Sequence, residues 1–282
     1  MDPLILYHGD QDGFCSAFLL WLVMDGRGEY QSVQYGQEAP THKVEGRNVY
    51  VVDFSYQRPD LLLMKQRAKS LVVLDHHKTA EGEIGDLSFC TFNMNRSGAG
   101  LTWDLVEEEI RERLGRRQLG VHSWVKSLVD YVEDYDLWKW SLPHSKEINA
   151  AIRSHRFDFN IWKRVFVRDW LSQARTEGEG ILRMEVRMVD KSVRNAQVVS
   201  VGEHRVPAVN SSVLQSEIGA RLARGNKFGV VWFQRADGKF QYSLRSQEGG
   251  VDVSEVAKEF GGGGHERSAG FESERLLWYQ GQ

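Results

Sequence analysis

The chain has 282 residues, 41% of them hydrophobic, enough for one large domain or two ordinary ones with separate cores. Its 36 basic and 39 acidic residues leave a net charge of −3, which argues against coating long nucleic acid through a basic surface but is compatible with a small anionic substrate neutralised by cations. Only two cysteines, Cys15 and Cys90, read as free thiols, the start lacks a basic leader, and no apolar run reaches the roughly 20 residues of a membrane span, so the expected setting is cytoplasmic with no membrane partner.

Three short apolar runs, residues 4–7, 48–52 and 70–74, read as buried strands, and residues 14–24 and 60–69 between them carry helical spacing. This order predicts an α/β fold, a parallel doubly wound sheet with all three strand exits on one edge. A further helix is expected over 101–114, just after Ser97-Gly98-Ala99-Gly100, and an amphipathic one over 123–132. Residues 157–193 are helical in pattern and mixed in charge, with Lys163, Arg164, Arg168 and Arg175 among the basic residues. Strand-like runs at 197–201, 206–210, 228–234 and 239–245, with a helix over 213–224, predict a smaller α+β domain. The expected organisation is a catalytic domain over 1–156, a helical connector over 157–197 and a second domain over 198–282, interrupted by the glycine run 261–264.

Each early strand ends in the same chemistry. Residues 4–7 lead into His8-Gly9-Asp10-Gln11-Asp12-Gly13, 48–52 into Asp53, and 70–74 into Asp75-His76-His77. In an open α/β sheet, ligands gather outside the carboxyl ends of the strands, so these clusters should converge there. A lone Asp53 is an ordinary cap or turn residue, and Asp75 with two solvated histidines an ordinary helix start. Three such clusters after three consecutive strands crowd like charges together, a costly arrangement unless cations neutralise them. Mixed imidazole and carboxylate ligands suit manganese, iron, cobalt or zinc more than calcium, and several carboxylates favour two ions over one.

These residues resemble the DHH phosphoesterases, through the Asp75-His76-His77 triplet, the Asp10-x-Asp12 pair and the single Asp53. The stretch Gly261-Gly262-Gly263-Gly264-His265-Glu266-Arg267-Ser268-Ala269-Gly270-Phe271 resembles the glycine-rich motif of the DHHA1 domain that often follows. The resemblance covers nearly the whole chain and implies two divalent metal ions, most of all Mn2+, held by Asp10, Asp12, Asp53 and His76, with His8 a further ligand and Asp53 bridging. The His8-Gly9-Asp10 spacing is tighter than the family's common first motif. The family's fourth motif implies one more ligand from Tyr131-Val132-Glu133-Asp134-Tyr135-Asp136-Leu137-Trp138, where Asp134 is preferred and Asp136 is the alternative.

On this resemblance His77 serves catalysis by donating to a phosphate oxygen or to the leaving alkoxide, and Asp75 orients the imidazole. Arg96 and Ser97 add donors for a phosphate at a helix start, unless Ser97 merely caps the helix. In the second domain Gly262, Gly263 and Gly264 expose backbone N–H groups to an anion, and His265 with Arg245 and Ser246 contacts a phosphate or base. One domain then cuts and the other grips a terminus, which implies a short oligonucleotide or dinucleotide substrate. Cyclic-dinucleotide hydrolysis, and nucleotide or RNA-end binding over an idle metal centre, are the alternatives. Tyr135, Trp138 and Trp140 are candidates to stack bases, while most of the nine tryptophans read as core. Monomer and homodimer both remain open.

Overall fold

The computed structural model describes residues 1–114, 120–167 and 169–278; Arg168 and the last four residues of the expected second domain lie outside them. The chain divides into two compact units, Met1–Leu182 and Arg183–Gln282. Among the described residues no helix is long and apolar enough to cross a membrane.

The first unit runs β1 (Leu4–His8), α1 (Gln11–Val23), β2 (Glu29–Val33), β3 (Asn48–Val52), α2 (Arg58–Arg67), β4 (Ser70–Asp75), α3 (Lys78–Ile84), β5 (Cys90–Phe92), α4 (Gly98–Glu109), a π-helical turn at Ile110–Leu114, α5 (Val121–Asp136), α6 (Ser145–Ser154), α7 (Phe159–Val165) and α8 (Trp170–Val193). Strand order is β2-β1-β3-β4-β5 with every pair parallel, the α/β arrangement expected from the sequence. The central strands are apolar on both faces because both faces are covered. Ile5, Val52 and Leu74 point into one core with Phe14, Phe18, Trp103, Trp124 and Trp162, whereas Leu4, Leu6, Val49, Val51, Leu71 and Val73 join a second core with Leu61 and Met64. Burying each such side chain contributes roughly 1.5–3 kcal/mol. Trp162, Phe166, Trp170 and Ala174, from the stretch expected to be a connector, are buried in the first of these cores.

Helix α1 starts earlier than its apolar spacing suggests, because the Asp10 carboxylate accepts from Gly13 N at 3.0 Å and caps it. Its first turn is therefore free to carry the polar Gln11 and Asp12 toward the strand ends.

The second unit holds the end of α8, then β6 (Gln197–Val201), β7 (His204–Asn210), α9 (Gln215–Leu222), β8 (Gly229–Gln234), β9 (Phe240–Arg245), α10 (Val253–Lys258), β10 (Gly263–His265) and β11 (Ser268–Ser273). Its sheet order is β10-β11-β9-β8-β7-β6, antiparallel throughout except for β7 and β8, whose crossover is α9. Val206, Val230, Tyr242, Leu244 and Phe271 pack with Val253, Val256 and Ala257 on one side, and Val209 and Val231 with Ile218 and Leu222 on the other. The glycine run is an ordered edge of this sheet. A Cβ on Gly262 would stand 2.1 Å from Gly270 O, so only glycine lets the chain pass that close to β11.

Candidate metal centre

Between β1 and β3 the strand order reverses, which opens a crevice at their carboxyl ends. His8 is the last residue of β1, Asp10 and Asp12 start α1, Asp53 follows β3, and Asp75 closes β4 ahead of His76 and His77. Asp53 sits between the two halves of the cluster. Its Oδ1 lies 3.1 Å from His76 Nε2 and its Oδ2 lies 3.7 Å from His8 Nδ1. Ligand atoms of His8, Asp10 and Asp53 fall within 4.8 Å of one another, and so do those of Asp12, Asp53 and His76. His8 Nδ1 is also 2.9 Å from Asp10 Oδ2, and His76 Nε2 is 3.8 Å from Asp12 Oδ2.

Local backbone chemistry fixes these groups. Asp53 adopts a left-handed φ of 56°, a conformation that costs an L residue roughly 1–2 kcal/mol and that Asp tolerates better than most. Helix α4 presses its first turn against it. A Cβ on Gly98 would lie 2.3 Å from Asp53 Cβ, so this glycine is demanded by the approach. The same helix start grips Asp12, whose Oδ1 accepts from Ser97 Oγ at 2.7 Å and Ala99 N at 3.0 Å, and whose Oδ2 accepts from Gly98 N at 2.6 Å. The positive end of a helix thus fixes a carboxylate rather than standing open to a phosphate. Asp75 is fully buried, accepts from His76 N, His77 N and His77 Nδ1 at 2.7, 3.2 and 2.7 Å, and pairs with Ser55 Oγ.

The cluster carries more negative charge than its own imidazoles balance. Burial pushes Asp53 well above the usual carboxylate range, and Asp12 and Asp10 push it further. Asp136 is likewise pushed well up, first by burial and then by Asp12, while burial also raises Asp12 against the pull of His76. For both histidines burial works downward but is outweighed, at His8 by Asp10 and Asp53 and at His76 by Asp136 and Asp12, so both rise above the ordinary value. Burial would raise Asp10 and Asp75 too, yet His8 and His77 respectively hold them well below it.

Two expectations from the sequence are corrected. Asp134 points away from the cluster. Its Oδ1 accepts from Ser141 N at 2.8 Å and from Ser141 Oγ at 2.5 Å, and its Oδ2 accepts from Ser145 Oγ at 2.5 Å. Asp136 instead faces the cluster, with Oδ2 3.5 Å from His76 Nε2. One helical residue separates the two orientations, and at the end of α5 periodicity alone does not say which acid turns inward. Arg96 is also committed elsewhere, since Nε donates to Glu133 at 2.8 Å, Nη1 to Asp104 at 2.5 Å and Nη2 to Gly100 O at 2.8 Å. Ser97 does cap α4, accepting from Gly100 N at 3.2 Å while donating to Asp12. Glu133 accepts from Ser97 N at 3.1 Å; it supports the site, and nothing in its sequence position singled it out.

Beyond Asp136 the chain makes an unusual turn. Trp138 N donates to Tyr135 O at 3.0 Å and Lys139 N to Asp134 O at 2.9 Å, a helix-ending motif whose left-handed position is normally glycine. Here that position is Trp138, with φ 56°, and Trp140 is left-handed as well at 54°.

In the second unit the expected substrate-binding residues share one corner of the sheet. Ser268 on β11 is in register with Arg245 on β9 and with His265 on β10, so the three lie side by side. Arg245 Nη2 donates to Ser216 Oγ at 2.8 Å, and Ser246 N donates to Arg267 O at 3.1 Å.

The donor set of the first unit fits divalent cations. It offers only imidazole nitrogens and carboxylate oxygens, several of them buried and short of compensating positive charge, which is the condition a bound cation relieves.

Residues 4–127 match the DHH family, N-terminal domain, and residues 197–277 match the DHHA1 domain. An uncharacterized protein, R106, of Acanthamoeba polyphaga mimivirus is 27% identical over 95% of the chain and 66% of its own length. Oligoribonuclease NrnB of Bacillus subtilis is 26% identical over 70% of the chain and 51% of its own length. The chain therefore spans about half to two thirds of these curated relatives. Among solved structures, RecJ of Thermus thermophilus in complex with Mn2+ aligns with 98% of the chain and 50% of its own at a TM-score of 0.54 and 15% identity. A pGpG-specific phosphodiesterase, PggH, from Vibrio cholerae aligns with 96% of the chain and 92% of its own at 0.50 and 11%. These two likenesses are of fold. With both domains matched in order, the chain belongs to the DHH family, carrying a DHH N-terminal domain followed by a DHHA1 domain.

Proposed function

We propose that the chain hydrolyses phosphodiester bonds in short oligonucleotides or linear dinucleotides at a centre of two divalent ions, manganese above all. The observation that carries this reading is Asp53, which turns one oxygen toward His76 and the other toward His8. His8, Asp10 and Asp53 would hold one ion, and Asp12, Asp53, His76 and Asp136 the other. When bound, such ions lower the pKa of a coordinated water toward neutrality and draw charge from the phosphoryl oxygens.

The remaining work falls to the chain's own side chains. Asp75 accepts from His77 Nδ1 and fixes the ring, so that Nε2, in the doubly protonated imidazolium, is the nitrogen that hands its proton to the leaving oxygen and leaves the ring neutral. Ser97 and the first turn of α4 keep Asp12 aimed while its charge is in use. In the second unit Arg245, Ser246, His265 and the backbone of Gly262, Gly263 and Gly264 form a surface for an anionic part of a nucleotide. The relatives support the substrate class, one being an oligoribonuclease and another of the same fold a pGpG-specific phosphodiesterase. The two free thiols, Cys15 and Cys90, support a cytoplasmic setting.

The test is a product time course with Mn2+ on 5′-phosphorylated oligonucleotides of increasing length, cyclic dinucleotides and pyrophosphate. The shortest linear substrates should release mononucleotides, and Asp53→Asn should be silent. Wild-type protein that leaves every dinucleotide intact overturns the reading.

A further inference from the structure

We propose that the turn at residues 137–140 is a nucleobase-binding subsite beside the metal centre, with the indole of Trp138 as its stacking surface. The proposal rests on the nucleotide-hydrolase reading and deepens it.

The first argument is what the backbone gives up. Trp138 occupies the left-handed position of a helix-ending motif, where glycine meets no Cβ penalty. Trp140 adds a second strained position within the same turn. Large side chains persist in such conformations when the surroundings over-determine them, and these sites gather where ligands are handled. The surroundings here are specific. Asp134 is buried, and its carboxylate ties down Ser141 and Ser145 on the far side of the turn. The acid that the sequence offered as a ligand is thus the stake that holds the aromatic turn in place.

The second argument is which ring faces are taken. Arg153 lies 4.5 Å over the Tyr135 ring and Lys146 lies 5.2 Å over the Trp140 ring. Trp138 meets Tyr135 at 5.8 Å and 50°, and Trp140 at 4.8 Å and 69°, so neither neighbour lies flat on its indole. It is 38% exposed, and among the described residues the cations that lie over aromatic rings sit on Phe89, Trp140, Tyr135 and Trp21 instead. A planar π-system is the ligand that such a face accepts, and the adjacent Lys146 and Arg153 suit the phosphates such a base carries.

Position supplies the third argument. Asp136, two residues before Trp138, reaches His76 in the metal centre from the same helix end. A base held on this turn therefore belongs to a nucleotide whose phosphate is within the reach of that centre. Stacking tolerates any base, so the subsite confers a preference for base-bearing over base-free substrates rather than for one sequence.

The test compares 5′-phosphorylated diadenylate with the same phosphodiester in which both bases are replaced by hydrogen. For Trp138→Gly, KM with Mn2+ and Kd measured calorimetrically in Ca2+ should rise about 10-fold or more for the diadenylate, with kcat and every constant for the base-free compound within about 2-fold. Melting temperature should hold or rise, because glycine adopts the left-handed conformation freely; a merely structural tryptophan predicts a fall. Trp138→Asn, which also tolerates this conformation, should repeat the pattern, and Trp138→Tyr should restore part of the preference. Unchanged diadenylate affinity, or equal loss on both compounds, overturns the subsite. If neither compound is cleaved by wild-type protein while the Kd pattern appears, the hydrolase reading falls and the subsite stands.

Discussion

His76 Nε2 lies 3.1 Å from Asp53 Oδ1 in a buried pocket where Asp53 is pushed well above the usual carboxylate range. A buried acid in that state is a liability to the metal-free fold and an asset once a cation arrives. Asp53→Asn keeps the shape and tolerates the left-handed backbone, so it should raise the melting temperature measured in EDTA. It should also abolish the further rise on adding Mn2+ and lower turnover by at least about 100-fold. An intact Mn2+-induced shift in this variant would remove Asp53 from the ligand set.

The acids at the end of α5 should separate cleanly. Asp134→Ala leaves Ser141 N and two hydroxyls without their acceptor, a loss of about 1–3 kcal/mol in stability measured by urea denaturation. Asp136→Ala should cost little stability in EDTA but weaken Mn2+ binding about 10-fold or more by calorimetry. The reverse pattern would restore Asp134 as the ligand.

Gly98→Ala forces a Cβ to within 2.3 Å of Asp53 Cβ, with backbone rather than a flexible side chain also close by. The helix start must retreat, at about 1–3 kcal/mol, and both Asp12 and Asp53 move with it. Thermal denaturation and Mn2+ affinity should therefore fall together. Loss of stability with unchanged affinity would show that α4 does not set the ligand geometry.

Cys90 is half-buried, and burial, with Asp75 and Asp86 nearby, pushes its thiol up to about 11. Only the thiolate is alkylated, so the folded protein should react with iodoacetamide at pH 8 about 100-fold more slowly than the urea-unfolded chain. The native rate should keep climbing toward pH 11. A plateau near pH 9 would show an unshifted thiol.

What the sequence makes legible follows from what it must bury. Strands β1, β3 and β4 are continuous apolar runs because both faces of the sheet are covered, and the acids that follow them mark their exits. The outer strands escaped notice for the opposite reason: β2 is Glu-Tyr-Gln-Ser-Val and β5 only Cys-Thr-Phe, edge segments with little apolar pattern to read. Strand β10 hid in the glycine run, which has no side chains to alternate. At the site, Asp10, Asp12, Asp53 and His76 were legible as a set because each follows a strand. The inward turn of Asp136 against the outward turn of Asp134, the engagement of Arg96 by Glu133 and Asp104, and the bond from Ser97 N to Glu133 depend on side-chain directions that spacing does not encode.

The grip of α4 on Asp12 makes the two halves of the centre unequal. Asp12 is buried and held by three donors, whereas the Asp10 side chain is 47% exposed and receives one backbone N–H besides its contact with His8. On the proposed two-ion reading, the half built on Asp10 would exchange its ion with solvent more readily than the half built on Asp12. Dilution or a weak chelator would then strip the protein stepwise, and a preparation that had lost activity would still carry metal.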